Sequence, residues 1–333
     1  VSFESNNQRQ LQYTISIEGL VNAKLTIPAG CWFVAALLLA SWMDAQTPSV
    51  TLSVKDLSPQ FVAFYDEAVK EHASPDQRWD LWKKMYHFAA VPPTPQGEEM
   101  ARTLLDEAWS RYPSVLDRIR GGADSFVPQA ERQLNAVARL LRPGRPVHIT
   151  LLVYVGGLED NAFTVAQHGE ITTAIPIESS PDTREMLMTH EFTHAVQIAM
   201  GSFSGNFERT VGTIVVTEGL ASRVTQELFP KRPAEDSIEF TPGWLKQAEQ
   251  HRTEILKGIR PSLVSDKSED IERFTIGPGP AGLEREAYYA GWLLVGDWLS
   301  RGKSFADIAR IAEKEMPQRA AAGIDILLAK SRT

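Results

Sequence analysis

The stretch Glu185–Gly201, "EMLMTHEFTHAVQIAMG", decides how this chain is read. It sets two histidines and a glutamate among methionine, leucine, valine and isoleucine, where ionisable groups are costly to bury unless they share a partner. The residues ahead of it, "SSPDTRE" at 179–185, form a helix start. Ser180 is the cap, Pro181 the first helical residue, and Asp182 sits at the positive end of the helix dipole. The spacing predicts a helix from Pro181 to about Met200, stopped at Gly201 by a left-handed residue.

On that helix His190 and His194 share one face, because four residues advance the chain by ~6 Å and only ~40°. Glu191 projects ~100° further round. Two converging imidazoles make half of a tetrahedral zinc site, and a glutamate beside the ion can act as general base. This is the H-E-x-x-H pattern, His190-Glu191-Phe192-Thr193-His194. The longer form of that motif, with a glycine and a third histidine downstream, is absent, since Gln197 and Met200 occupy those positions.

A catalytic zinc ion needs a third protein ligand and one open position. Past the turn "GSFSGNFER", the apolar stretch "TVGTIVVTEGLASRVTQELF" holds Glu218, the only acidic residue between Glu208 and Glu227. Gly201 and Gly205 permit the chain to reverse, and Gly219 and Ala221 permit this second helix to lie close against the first. Glu218 is therefore the candidate third ligand; the competing expectation is a buried glutamate paired with a basic neighbour such as Arg223.

Composition sets the outer limits. The chain has 333 residues with 43% hydrophobic and 23% charged content and a formal net charge of −8, the balance of a globular protein with an ample core. No block of Lys/Arg stands out, so a nucleic-acid partner is not expected. Cys31–Trp42, "CWFVAALLLASW", follows Lys24 and is too short to span a bilayer comfortably, but has the length of a signal-peptide apolar region. Residues 1–45 are expected to be upstream residues plus a signal peptide or an uncleaved anchor. They carry the only cysteine, which suits an exported, periplasmic or secreted protein without disulfides.

The remainder divides into an N-terminal helical region (46–145) and a second region (146–333). "SPQFVAFYDEAVKEH", "PDQRWDLWKKMYHFA" and "GEEMARTLLDEAWSRY" carry apolar residues at helical spacing, and Ser58-Pro59 and Ser74-Pro75 look like helix starts. "PVHITLLVYVGG" (146–157), "NAFTVAQHG" (161–169) and "EITTAIPIE" (170–178) read as strands. A small sheet followed by helices predicts an α+β architecture. The tryptophans at 79, 82, 244, 292 and 298 read as core.

With H-E-x-x-H followed by a helix-borne glutamate, the chain resembles the gluzincin clan of zinc metallopeptidases. More narrowly, "EGLA" (218–221) together with "YYAGWLLVGDWL" (288–299) is similar to an uncharacterised bacterial family of predicted Zn-dependent proteases. Its motifs run H-E-x-x-H, E-G-L-A and G-Y-x-x-G, with Ala287 standing for the first glycine of the last. The resemblance covers roughly 180–300. It implies a zincin-like catalytic domain over 146–333, one catalytic Zn2+ held by His190, His194 and Glu218, and Glu191 as base. It also implies a peptide or protein substrate bound by an edge strand, for which 161–168 and 170–178 are alternatives. Many members of the clan place an aspartate where Ser222 stands, making Ser222 the candidate support behind a ligand histidine. The oxygen that gains charge during hydrolysis needs a further donor; Tyr288 and Tyr289 are candidates, and His168 is another. An aminopeptidase, with Glu159 or Asp160 holding the substrate amine, and a non-catalytic zinc-binding envelope protein are the alternative functions.

Overall fold

The computed structural model describes residues 12–13, 49–206 and 209–330. The signal-like segment and its processing point lie outside the described residues. Among the described residues, thirteen α-helices and a small mixed sheet make an α+β fold. None of the described helices is long and apolar enough to cross a membrane.

Strand β1 (Gln12–Tyr13) is a two-residue antiparallel addition to β2 (Val50–Asp56). Then follow α1 (Ser58–Lys70), α2 (Pro75–Met85), α3 (Pro95–Ala108), α4 (Leu116–Arg120) and α5 (Val127–Leu141). Ser74 closes a reciprocal cap with Gln77, and Thr94 with Pro95 restarts the chain after the proline-rich break. Ser58 is not a cap. It is already helical, and its N–H donates to Asp56 Oδ1 at 2.8 Å.

The sheet has the order β1-β2-β3-β5-β4. Strand β3 (Val147–Tyr154) lies between β2 and β5 (Glu170–Pro176), parallel to both. Strand β4 (Phe163–Gln167) returns antiparallel to β5 through a two-residue turn, His168-Gly169, with φ of 52° and 83°. Positive φ at both turn positions matches the twist of a tight hairpin. His168 is thus an exposed turn residue, not a strand residue facing the site. Of the two expected substrate strands, 163–167 is the edge and 170–176 is interior. Strand β2 was not expected from the sequence. It belongs to the segment read as helical, and one apolar core runs unbroken from Leu52 and Phe61 through Phe192 and Val215 to Leu327. All five tryptophans named above are buried in it.

Helix α6 (Pro181–Met200) follows β5 directly. The Ser180 hydroxyl accepts from Thr183 N at 3.1 Å, and Gly201 ends the helix at φ 76°. Helix α7 (Val211–Leu228) starts on Thr210, whose hydroxyl accepts from Thr213 N at 3.1 Å. The chain continues through α8 (Trp244–Gln250), α9 (Arg252–Ile259) and α10 (Ser268–Thr275) to α11 (Glu286–Ser300), α12 (Phe305–Ala309) and α13 (Met316–Lys330).

The close approach expected of Gly219 exists, but with another helix. A Cβ on Gly219 would lie 2.3 Å from backbone atoms of Gly291, and one on Gly291 would lie 2.0 Å from the Val215 carbonyl oxygen. Helices α7 and α11 therefore cross backbone on backbone at these two glycines, which no other residue type would allow. Glu218 is next to one of them, and Tyr288 is about a turn from the other.

Substituting Gly291→Ala should push these helices apart and destabilise the protein by about 3 kcal/mol, read as a lowered Tm. Gly144→Ala, where a Cβ meets nothing within 4 Å, should leave Tm within a degree or so of the parent, consistent with a surface substitution of at most about 0.5 kcal/mol.

Candidate metal centre

The buried middle of α6 presents His190 and His194 to Glu218 on α7. His190 Nε2 lies 3.2 Å from Glu218 Oε2, His194 Nε2 lies 3.4 Å from the same oxygen, and the two Nε2 atoms are 3.3 Å apart. These are the edges of a nearly equilateral triangle. A regular tetrahedron around an ion with ~2.0–2.1 Å metal–nitrogen bonds has edges of ~3.3–3.4 Å, so the three donors fit one face of a zinc site. The imidazole rings stand at 75° to one another with their centroids 5.0 Å apart.

Chemistry agrees with geometry. Two imidazole Nε2 atoms and a carboxylate oxygen converge at hydrogen-bond distances, a donor set that a divalent cation can occupy once both imidazoles have shed their protons. Burial pulls the His190 pKa down, but the hydrogen bond and charge of Glu218 outweigh it and leave the imidazole above its ordinary value. Burial also opposes ionisation of Glu218, yet the charge of His194 and hydrogen bonds from both histidines hold its carboxyl well below the ordinary range. Each partner thus favours cationic charge within the triangle.

Glu191 joins the two histidines in a second grouping, with donor atoms all within 4.8 Å of one another. It is buried at 7%, as are His194 at 6% and Glu218 at 4%, whereas the His190 side chain keeps 21% exposure and marks the open side. The edge strand reaches this helix directly: the Thr164 hydroxyl donates to the Glu191 carbonyl at 3.1 Å and pairs with Thr173 at 3.0 Å.

Glu218 is not paired with Arg223, whose guanidinium lies 3.3 Å from the Trp292 ring centroid and donates to the Trp292 carbonyl. Its second oxygen instead faces Arg209, with Nη2 at 3.5 Å from Oε1. Arg209 also lies over the Phe203 ring, beside His194. Ser222 is buried one turn beyond Glu218 but does not reach His194, whose Nδ1 has no hydrogen-bond partner among the described residues.

The two tyrosines part company. Tyr288 is half-buried and feels the charges of Glu218, Arg285, Arg209 and Glu191; burial raises its pKa. Tyr289 is buried against Trp244, with its pKa pushed up to about 12 chiefly by burial and with Arg252 and Glu249 as its charged neighbours. Neighbours on a helix differ by ~100°, and only Tyr288 faces the cluster. Glu159 and Asp160 are exposed on the loop before β4, where the Asp160 carboxylate is taken by the Ser179 hydroxyl.

That loop is held by Glu178, a residue the sequence did not single out. Its Oε1 accepts from Gly156 N at 2.8 Å, while Oε2 is buried without a partner among the described residues. Burial pushes its pKa from 4.5 to about 7.

Residues 158–317 match the model of a family described as "Predicted Zn-dependent protease (DUF2268)". The matched segment includes all three triangle residues, Glu191 and Tyr288. No curated protein and no solved structure matches the chain.

Purified protein should bind about one zinc ion. His190→Ala and Glu218→Ala should lose it, and Arg209→Ala should weaken it by about 10–100-fold in competition with a chelating dye. Zinc occupancy should fall on acidification, because the histidines bind the ion only after shedding their protons. Glu178 has a raised folded pKa, so its stabilising contribution is complete below 4.5 and is lost as pH rises through about 7. Glu178→Gln should therefore flatten the pH dependence of unfolding between those values, by on the order of 2–3 kcal/mol.

Proposed function

We propose that the chain is a zinc-dependent peptidase of the gluzincin type, hydrolysing peptide bonds with His190, His194 and Glu218 as metal ligands. The observation that carries this is the 3.2–3.4 Å triangle of donors with a carboxylate, Glu191, beside it. A closed structural site has no use for such a base. A zinc ion held there would supply a Lewis acid for the attacking water and the scissile carbonyl.

The protein's own groups do the rest. Glu191 accepts the proton of the attacking water and returns it to the leaving amine. The Tyr288 phenol, kept protonated by burial, donates a hydrogen bond to the oxygen that gains charge. Arg209 holds Glu218 by its second oxygen, fixing which atom faces the metal. The outer edge of β4, unpaired among the described residues and tied to α6 through Thr164, offers main-chain groups to an extended peptide. On the residues of 31–45 alone, the activity is placed outside the cytoplasm, which cell fractionation checks.

A digest of a peptide library should show cleavage that a chelator abolishes and added zinc restores. Glu191→Gln should keep the metal and lose about 10²–10⁴-fold in kcat. Undiminished cleavage by that variant would refute the mechanism, and metal binding without any cleavage would leave a zinc-binding protein.

A further inference from the structure

Arg285 stands at the entry to α11 with φ 59° and ψ 31°, a left-handed conformation that a non-glycine residue adopts at a cost of about 1 kcal/mol or more. The conformation is imposed from both sides. The fully buried Glu286 carboxylate accepts from Ala281 N at 2.8 Å and Leu283 N at 3.3 Å, clamping the preceding loop. Trp244 Nε1 donates to the Glu284 carbonyl at 3.0 Å. So braced, the backbone sends the Arg285 side chain between two aromatic rings, 4.6 Å from the centroid of Phe240 and 5.2 Å from that of Tyr288.

Aromatic rings engage the flat faces of a guanidinium and leave its N–H edge free for a partner in its plane. No carboxylate among the described residues supplies one, so this half-buried cation is stacked but not neutralised. The slot shares the Tyr288 ring with the candidate centre. Tyr288, whose ring walls the slot, lies about a turn from the Gly219–Gly291 crossing beside Glu218.

We propose that Arg285 determines specificity by binding a carboxylate of the substrate next to the metal centre. Carboxylates are the only anions an unmodified peptide offers, and their two oxygens match the guanidinium fork. Two sources share that chemistry: the free C-terminus and an acidic side chain close to the cleaved bond. The inference rests on the peptidase reading of the same site.

The test is binding, measured by calorimetry, to the full-length zinc-loaded protein carrying Glu191→Gln. The probes are an N-acetylated tetra-alanine acid and its amide, plus two amidated peptides that differ only by Glu or Gln. The acid over its amide, or the Glu peptide over the Gln peptide, should bind about 10–100-fold tighter; which pair shows it names the source. Adding Arg285→Asn, which suits the left-handed backbone, should erase the difference, and Arg285→Lys should retain part of it. Zinc content and Tm confirm that each variant is folded and loaded. No carboxylate preference, or one that survives Arg285→Asn because the carboxylate sits on the metal instead, overturns the proposal. Hydrolysis of the same peptides by protein with Glu191 intact reports on the peptidase reading separately. An Arg285-dependent preference without cleavage fails that reading alone, and cleavage without the preference fails this inference alone.

Discussion

The contact on which the site depends is the crossing of two helix backbones at Gly219 and Gly291. With no side chain between them, α7 and α11 approach until a single added methyl group would overlap a carbonyl oxygen. That depth brings Glu218 under the histidines of α6 and carries the first turn of α11, with Tyr288 and Arg285, to the same place. The glycines of E-G-L-A and Y-x-x-G are thus two halves of one packing contact, and the residues beside them inherit their positions from it.

Around that contact the protein gathers charge that its own interior does not balance. A carboxylate and two imidazoles meet at hydrogen-bond distances inside the core, with Arg209 on the far oxygen of Glu218. Buried ionic groups of this kind add little to stability unless their remaining valences are met. An ion bound by α6 and α7 together would make metal binding part of folding, since each helix contributes donors that the other cannot replace.

Much of this was legible in the residues. Ser180, Pro181 and Gly201 mark both ends of α6, and an isolated acid within an apolar helix points to Glu218, because local signals and burial cost need no knowledge of neighbours. What depended on neighbours was not legible. Gly219 announces that something comes close, but not that the partner is α11 rather than α6. The order Tyr288-Tyr289 reveals a helix, but not how it is rotated against α7. Arg209 and Arg285 adjoin loops, where no periodicity betrays a role. Strand β2 is seven residues of modest alternation whose meaning lies entirely in its partner.

That partner is far away along the chain. Thr51 pairs with His148, 97 residues later, with five helices in between. Contacts of such long range must overcome the entropy of a large closed loop before they return any stabilisation, and they slow folding accordingly. During synthesis, the segment that opens the sheet leaves the ribosome long before the strand that receives it. Its alternating valines and leucine then wait unpaired, and chaperones have that interval in which to bind them.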